Sequence, residues 1–424
     1  MISRSESSQN CSAKSVKRDE ICGRSFYAAR TNMLEVFLVF FRLGWTSFGG
    51  PVAHLGYFHN ELVQRRKWVD EHAYADIVAL CQFLPGPASS QVGMALGLSR
   101  AGVFGAIAAW LGFTLPSAIL LVLFALGVSR FGDALGGAWL HGLKIAAVAV
   151  VAQAIWGMAK KLCPDKQRAS IAIAATVVVS FFFSAWTQIL ILFVAGLFGW
   201  FFLKPAGVIS AHPFKMPVNR RLAAVCLVLF FAVLFLLPFF AATSDSHGLK
   251  QFDAFYRSGS LVFGGGHVVL PLLQAEVVDK GWVSKEAFMA GYGAAQAVPG
   301  PLFSFAAYLG AASDQEPSGW LGAVICLCAI YLPSFLLVIG VMPFWEKFSH
   351  SEKLRNAMTG ANAAVVGLLL AAFYNPVWTS AIFSARDFSV AVLGFLLLMF
   401  WRWPSWAVVL FCAIANQAAQ LIAS

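Results

Sequence analysis

The chain has 424 residues, 59% of them apolar and only 12% charged, where soluble globular proteins average about 25% charged. So little charge cannot cover a soluble surface of this size. Disorder, collagen-like repeats and disulfide-rich secretion are excluded on the same figures, and long unbroken apolar runs exclude an outer-membrane barrel built from roughly ten-residue alternating strands. The net charge of +10 lies mainly in short loops, which favours a cytoplasmic loop bias over nucleic-acid binding.

In chain order, residues 1–33 form a polar tail of mixed charge with no apolar core of a signal peptide, read as a cytoplasmic tail. Apolar segments follow near 34–49, 74–98, 103–127, 138–160, 169–185 and 187–203. A basic stretch from Lys204 to Arg221 leads to an apolar segment at 222–241, and further segments lie near 255–270, 288–312, 319–341, 356–374, 388–401 and 404–422. A spanning helix needs about 17–25 residues, so several of these thirteen are short and two are long. The eight cysteines form no metal or redox spacing and read as buried, inert thiols.

The chain repeats itself. Phe41–Trp68 (FRLGWTSFGGPVAHLGYFHNELVQRRKW) matches Tyr256–Trp282 (YRSGSLVFGGGHVVLPLLQAEVVDKGW). Arg42 aligns with Arg257, Phe48-Gly49-Gly50 with Phe263-Gly264-Gly265, and Glu61 with Glu276. Further on, Gln82 and Pro85-Gly86-Pro87 align with Gln296 and Pro299-Gly300-Pro301, Pro116-Ser117 with Pro333-Ser334, and Lys144 with Asn362. The expected organisation is a repeat at 34–203, a linker with its own helix at 204–254, and a second repeat at 255–424. Six nominal spans plus one linker helix make an odd number, so the second half starts from the opposite side. The expected fold is an all-α polytopic membrane protein of two inverted repeats with broken or re-entrant helices, an arrangement common among secondary transporters. Basic loop residues follow the positive-inside rule with the N-terminus inside, except Arg65, Arg66 and Lys67. That loop moves inside if 34–49 and 74–98 are both re-entrant hairpins, a choice the sequence leaves open.

Three motifs carry the candidate site. Each Phe-Gly-Gly ends a short apolar run. Gly49-Gly50-Pro51 and Gly264-Gly265-Gly266 suit a broken helix whose freed backbone groups line a cavity; a tight turn with small-residue packing is the alternative. Each Pro-Gly-Pro sits mid-segment. It removes two donors and starts a second half-helix with unpaired N–H groups, so Pro85, Gly86, Pro87 with Ser89, and Pro299, Gly300, Pro301, are candidate anion ligands; a simple kink is the alternative. Arg42 and Arg257 lie inside apolar runs, where a charge costs roughly 2.5–3.5 kcal/mol. They are candidate bidentate holds on an oxyanion, or else snorkel or pair internally with Glu35 or Asp253. His54, His267 and Lys144 are candidates for coupling, with structural hydrogen bonding or snorkelling as alternatives. The sequence has no Walker A, HExxH, Cys/His zinc set, haem pair or serine elbow, so neither a cofactor, a metal nor an enzymatic activity is expected.

These residues resemble the chromate ion transporter family in its long two-domain form. The resemblance rests on FRLGWTSFGGP and RRKWVDEHAYADIVALCQFLPGPASSQ in the first half and on FGGGHVVLP and AQAVPGP in the second. It implies a multi-pass bacterial inner-membrane carrier that exports chromate, confers resistance, and is driven by the proton-motive force or the membrane potential, with sulfate or related oxyanions as alternative substrates. The family motif falls on Arg42, Gly44, Phe48, Gly49, Gly50, Pro51, Pro85, Gly86 and Pro87. In the second half Gly266 stands for the proline and Ser258 for Leu43. The expected partners are an oxyanion and the lipid bilayer, with a homodimer left open. A non-transporting membrane subunit and a membrane-embedded enzyme are the readings of a different class.

Overall fold

The computed structural model describes residues 33–423 apart from 136, 183, 204–217, 264–265 and 346–350. The N-terminal tail, most of the basic linker and the pair Gly264-Gly265 lie outside the described residues. Within them are sixteen α-helices joined by short 3-10 and π turns, and no strand.

In the first half, α1 (Met33–Thr46) and α2 (Gly50–Phe58, continued by a π turn to Arg65) meet at the Phe-Gly-Gly break, and α3 (Glu71–Phe83) and α4 (Ala88–Leu135) meet at Pro-Gly-Pro. α4 is itself two helices, because Ala101 and Gly102 leave helical geometry. α5 (Gly137–Leu162), α6 (Lys166–Phe181) and α7 (Ala185–Phe202) follow, and α8 (Arg220–Thr243) is the expected linker helix. The second half repeats the order with α9 (His247–Leu261), α10 (Val269–Val277), α11 (Lys285–Ala297), α12 (Phe305–Ala311), α13 (Gly319–Val341), α14 (Glu352–Ala372), α15 (Ala385–Met399) and α16 (Ser405–Ala423). Even the caps repeat. Asp70 accepts from the Ala73 amide at 2.8 Å to start α3, and Ser284 accepts from the Ala287 amide at 3.1 Å to start α11.

α1, with 14 residues, and α3, with 13, reach only about 20 Å at 1.5 Å per residue, short of a hydrocarbon core of roughly 30 Å. They turn back instead. Arg66 Nη1 lies 3.4 Å from Glu35 Oε1 near the start of α1, and Phe40 packs on Phe58 and Trp68 at 5.5 and 6.5 Å between ring centroids. Arg100, at the far end of the Pro-Gly-Pro segment, lies 5.3 Å over the Trp68 ring. Glu35, Arg66, Trp68 and Arg100 therefore share one end, and both segments are re-entrant hairpins. The second half does the same. His247 stacks edge-on to Trp282 at 4.8 Å, the Asp314 amide donates to the Trp282 carbonyl at 2.9 Å, and Gln251 Nε2 reaches Ser313 Oγ at 3.2 Å. This resolves the alternative left open by the sequence and brings Arg65–Lys67 to the same end as the start of α1.

Among the described residues, five stretches are long and apolar enough to cross a membrane: Ala88–Val128, Trp139–Leu162, Arg220–Thr243, Gly319–Phe344 and Glu352–Trp378. Connectivity then inverts the halves. The later part of α4 and α5 go out and back, as do α6 and α7, and α8 crosses once, so α9 enters from the opposite end.

The halves also exchange helix pairs. α6 and α7 pack on α14, while α15 and α16 pack on α5. Thr176 on α6 donates to the Gly367 carbonyl on α14 at 3.1 Å, and His141 on α5 meets Asp387 on α15 at 3.1 Å. Within each half the first re-entrant helix sits directly on a spanning helix through a glycine. A Cβ on Gly44 would lie 2.8 Å from the Phe113 carbonyl oxygen, and one on Gly259 would run into the Ile330 carbonyl. Gly44→Val and Gly259→Val should each cost about 1–3 kcal/mol by overpacking, read as a lowered midpoint of thermal unfolding in detergent, while Gly50→Val, where a Cβ meets nothing within 4 Å, should lose only what its positive φ of 76° imposes.

Candidate functional site

Two prolines around a glycine leave one backbone donor at each break. Gly86 takes φ 120° and Gly300 φ 99°, a region that glycine alone enters without strain. The Gly86 amide donates to the Val262 carbonyl at 2.6 Å, and the Gly300 amide donates to the Ser47 carbonyl at 2.9 Å. Val262 and Ser47 are repeat-equivalent, each immediately before its Phe-Gly-Gly. Each Pro-Gly-Pro tip is thus locked into the other half's helix break. A Cβ at Gly86 would lie 2.7 Å from Ser334 Oγ, and one at Gly300 would lie 3.0 Å from Ser117 Oγ; these two serines are also repeat-equivalent. Ser117 Oγ pairs with Ser304 Oγ at 2.6 Å, and Gln91 Nε2 donates to the Pro85 carbonyl at 2.7 Å and to Ser334 Oγ at 3.3 Å. The amides of Gly86 and Gly300 are therefore spent on the opposite half and are not among the N–H groups that a half-helix start could offer to an anion.

Beside the second of these locks lies a cavity of about 80 Å³. Its walls are Ser47 to Pro51 of the first half, His267, Gln296 and Gly300 of the second, Gln153 on α5, and Ser405 and Trp406 at the start of α16. A water needs about 10–15 Å³ of such space, so a small tetrahedral anion has room. Ser47 Oγ and Gln296 Nε2 are buried without a hydrogen-bond partner among the described residues. Unpaired buried donors are costly, about 1–3 kcal/mol each, and mark where a water or ligand belongs. His267 Nδ1 lies 2.9 Å from the Tyr292 hydroxyl, which fixes the ring against the second half. Phe48 and Trp406 close one side at 6.3 Å between centroids. No Lys, Arg, Asp or Glu is among the described lining residues.

Of the residues picked out from the sequence, Gly49, Gly50, Gly300 and His267 line this cavity. Pro299 and Pro301 frame Gly300 without lining it. Pro85, Gly86, Pro87 and Ser89 belong to the other lock, where Ser89 Oγ lies 3.3 Å from His54 Nδ1. His54 is fully enclosed there, edge-on to Phe113 at 5.2 Å, and does not reach the cavity. Lys144 is half-buried on α5 and also stands off it. Gly264 and Gly265 lie outside the described residues.

The two arginines need correction. Arg42 is exposed on α1 and lines no part of the cavity. Arg257 is buried and committed elsewhere: Nη1 reaches Glu276 Oε1 at 2.6 Å, Nη2 reaches Asp253 Oδ2 at 2.9 Å, and Lys280 Nζ adds 2.6 Å to Glu276 Oε2. Two carboxylates and two cations cancel, so this arginine is a structural ion pair rather than a hold on substrate. Ser47, Gln153, Gln296 and Ser405 were not singled out as ligands; the one available signal was the repeat of Gln82 as Gln296 beside the Pro-Gly-Pro.

Broken re-entrant helices from two repeats, meeting at a small polar cavity deep in a helical membrane protein, define a transporter architecture. The chromate transporter family matches this chain twice, over residues 34–200 and 249–416, and the chain belongs to that family. Among similar proteins, a chromate transport protein of Cupriavidus metallidurans is 26% identical over 364 residues, covering 84% of this chain and 85% of the relative. A chromate transport protein of Pseudomonas aeruginosa is 26% identical over 351 residues, 79% of each, and a probable chromate transport protein of Synechococcus elongatus is 28% identical over 344 residues, covering 78% of this chain and 81% of the relative. No solved structure matches it.

The two arginines should separate in a stability measurement. Arg257→Met leaves Asp253 and Glu276 buried with one cation too few and should cost about 3–5 kcal/mol, whereas Arg42→Ala should stay within about 0.5 kcal/mol of the parent. Thermal unfolding of the purified variants in detergent checks both.

Proposed function

We propose that this protein exports chromate across the bacterial inner membrane and thereby confers chromate resistance, with the N-terminus in the cytoplasm. The observation that carries this reading is the cavity where the first half's Phe-Gly-Gly meets the second half's Pro-Gly-Pro, lined by Ser47 and Gln296, whose buried Oγ and Nε2 have no hydrogen-bond partner among the described residues. A tetrahedral dianion is acceptor-only and matches such donors, with His267, Ser405 and Gln153 completing the wall. Family membership and relatives named as chromate transport proteins supply the substrate class. The orientation is supported by the basic residues. Counting passes puts Arg65 to Lys67, Arg100, Lys160, Lys161, Lys166, Lys353 and Arg355 in connections on one side, which the positive-inside rule assigns to the cytoplasm. The surface of α8, whose apolar window is only 17% buried, faces lipid.

The mechanism we infer is alternating access, in which the two inverted halves rock about the cavity. Moving one charge through the membrane potential is worth roughly 2.3 kcal/mol per 100 mV. An outward-moving dianion gains twice that in a cell whose interior is negative, so the potential alone can drive export. Sulfate shares the charge and shape of chromate, and transport of sulfate or a related oxyanion is the second reading. Chromate uptake into everted vesicles is the test. Uptake should collapse with the membrane potential and be competed by sulfate. Ser47→Ala and Gln296→Ala should each raise KM about tenfold, the loss of one hydrogen bond to a charged group, with both proteins still in the membrane. Wild-type KM in both variants removes the cavity from the pathway.

A further inference from the structure

The cavity wall contains no cation among its described residues, and the intramembrane arginine Arg257 is neutralised by its own carboxylates. A dianion must nonetheless be drawn from water to this place. One basic residue next to the cavity has no established role. Arg402 lies in the turn between α15 and α16, within Trp401-Arg402-Trp403-Pro404, and the next two residues, Ser405 and Trp406, are part of the cavity wall. Arg402 is exposed, and no hydrogen bond or ion pair engages its side chain among the described residues.

The backbone makes this arginine unusual. α15 ends at its C-cap Phe400, the Trp403 amide donates to the Leu397 carbonyl at 3.0 Å, six residues back, and Arg402 takes φ 55° two residues past the cap. L side chains adopt that left-handed conformation rarely. An arginine there is disfavoured locally, and a strained residue beside a binding cavity is a reason to look for a role. The repeat supplies the contrast. The equivalent turn of the first half, between α6 and α7, reads Phe182-Phe183-Ser184 and carries no cation, and by the inversion of the halves it faces the opposite side. Of the two equivalent turns, only the one between α15 and α16 carries a cation.

We propose that Arg402 is the cytoplasmic capture residue for the oxyanion, an exposed guanidinium that concentrates the dianion at the inner mouth and passes it to the neutral-donor cavity behind Ser405. This rests on the transport reading above. Placing the cation at the inner mouth speeds loading from the cytoplasm, so it serves the outward direction of transport. It acts on encounter, as charges at a rim do, and its signature is therefore in KM and in salt dependence rather than in the turnover of the loaded carrier.

The test is initial-rate chromate uptake into everted vesicles, which present the cytoplasmic mouth to the medium, for the wild type, Arg402→Gly, Arg402→Gln and Arg402→Lys at low and high ionic strength. Glycine suits the left-handed turn, so Arg402→Gly should reach the membrane in normal amount. The expected result is a KM raised about tenfold in Arg402→Gly and Arg402→Gln, a maximal rate within about twofold of wild type, and a KM in Arg402→Lys close to the parent. The wild-type KM should rise steeply with salt, and the glycine variant's should not. Wild-type KM and wild-type salt dependence in Arg402→Gly and Arg402→Gln overturn the proposal. So does loss of both neutral variants from the membrane with Arg402→Lys retained, which makes Arg402 a topology signal. Absence of chromate uptake by the wild type itself overturns the transport reading instead.

Discussion

A helix broken inside a membrane leaves backbone N–H and C=O groups that lipid cannot satisfy, and each must find a partner in protein or in an enclosed polar space. This chain contains four such breaks, and the two at Pro-Gly-Pro are closed by the two at Phe-Gly-Gly. The single donor left at each glycine, Gly86 or Gly300, goes to the carbonyl of Val262 or Ser47 in the opposite half. Neither half can satisfy its own Pro-Gly-Pro tip, so the breaks form only when the halves are together. The glycines follow from this. A side chain at either position has both the wrong φ and a serine hydroxyl in its place. The serines follow in turn, because Ser117 and Ser334 fill the space that the missing Cβ leaves, and each hydrogen-bonds to a residue just after a Pro-Gly-Pro.

Charge is handled by a second rule, and the two halves apply it differently. In the second half, Asp253, Arg257, Glu276 and Lys280 form a closed set in which Glu276 and Arg257 are buried. In the first half, Leu38 stands at the position of Asp253, Arg42 is exposed, and Glu61 turns to Arg65 and Arg66 at 3.1 and 2.7 Å near the surface. Exposed pairs of that kind contribute about 0–1 kcal/mol, while removing one partner of a buried pair costs about 3–5 kcal/mol. The second half's re-entrant hairpin is thus pinned by charge, and the first half's is held chiefly by its aromatic packing on α4. The cavity between them is left with neutral donors in its wall. On the proposed reading such a wall would bind a dianion without trapping it, since no fixed countercharge has to be left behind when the anion departs.

Much of this was legible in the sequence, because the repeat made local features count twice. A glycine pair or a lone Pro-Gly-Pro is ambiguous in isolation; at equivalent positions of two halves it marks a break, and both breaks are where the spacing put them. The odd number of passes between the halves was countable from the apolar segments. The errors concerned side chains whose fate depends on the opposite half. Arg42 and Arg257 occupy equivalent positions of the repeat, yet one is exposed and the other enclosed, and the difference lies in whether an acid four residues earlier (Asp253, against Leu38) shares the helix face. Ser47 and Gln296 looked unremarkable because their partners in the wall come from more than two hundred residues away. The cavity is not a property of either repeat, so no pattern within one repeat points to it.

The helix-pair exchange ties the two halves together on either side of the cavity. α6 and α7 pack on α14 of the second half, and α15 and α16 pack on α5 of the first. Each half is therefore clasped by two helices of the other, through close contacts such as Gly199 against the Asn356 backbone and Gly142 against the Ala413 backbone. A clasp of this kind resists separation of the halves, because parting them would break both crossings at once. The cavity lies between a first-half tip and a second-half tip, and the alternating-access reading proposed above requires that the halves turn against each other about these crossings, where glycines leave few side chains to repack, while the clasping helices stay paired.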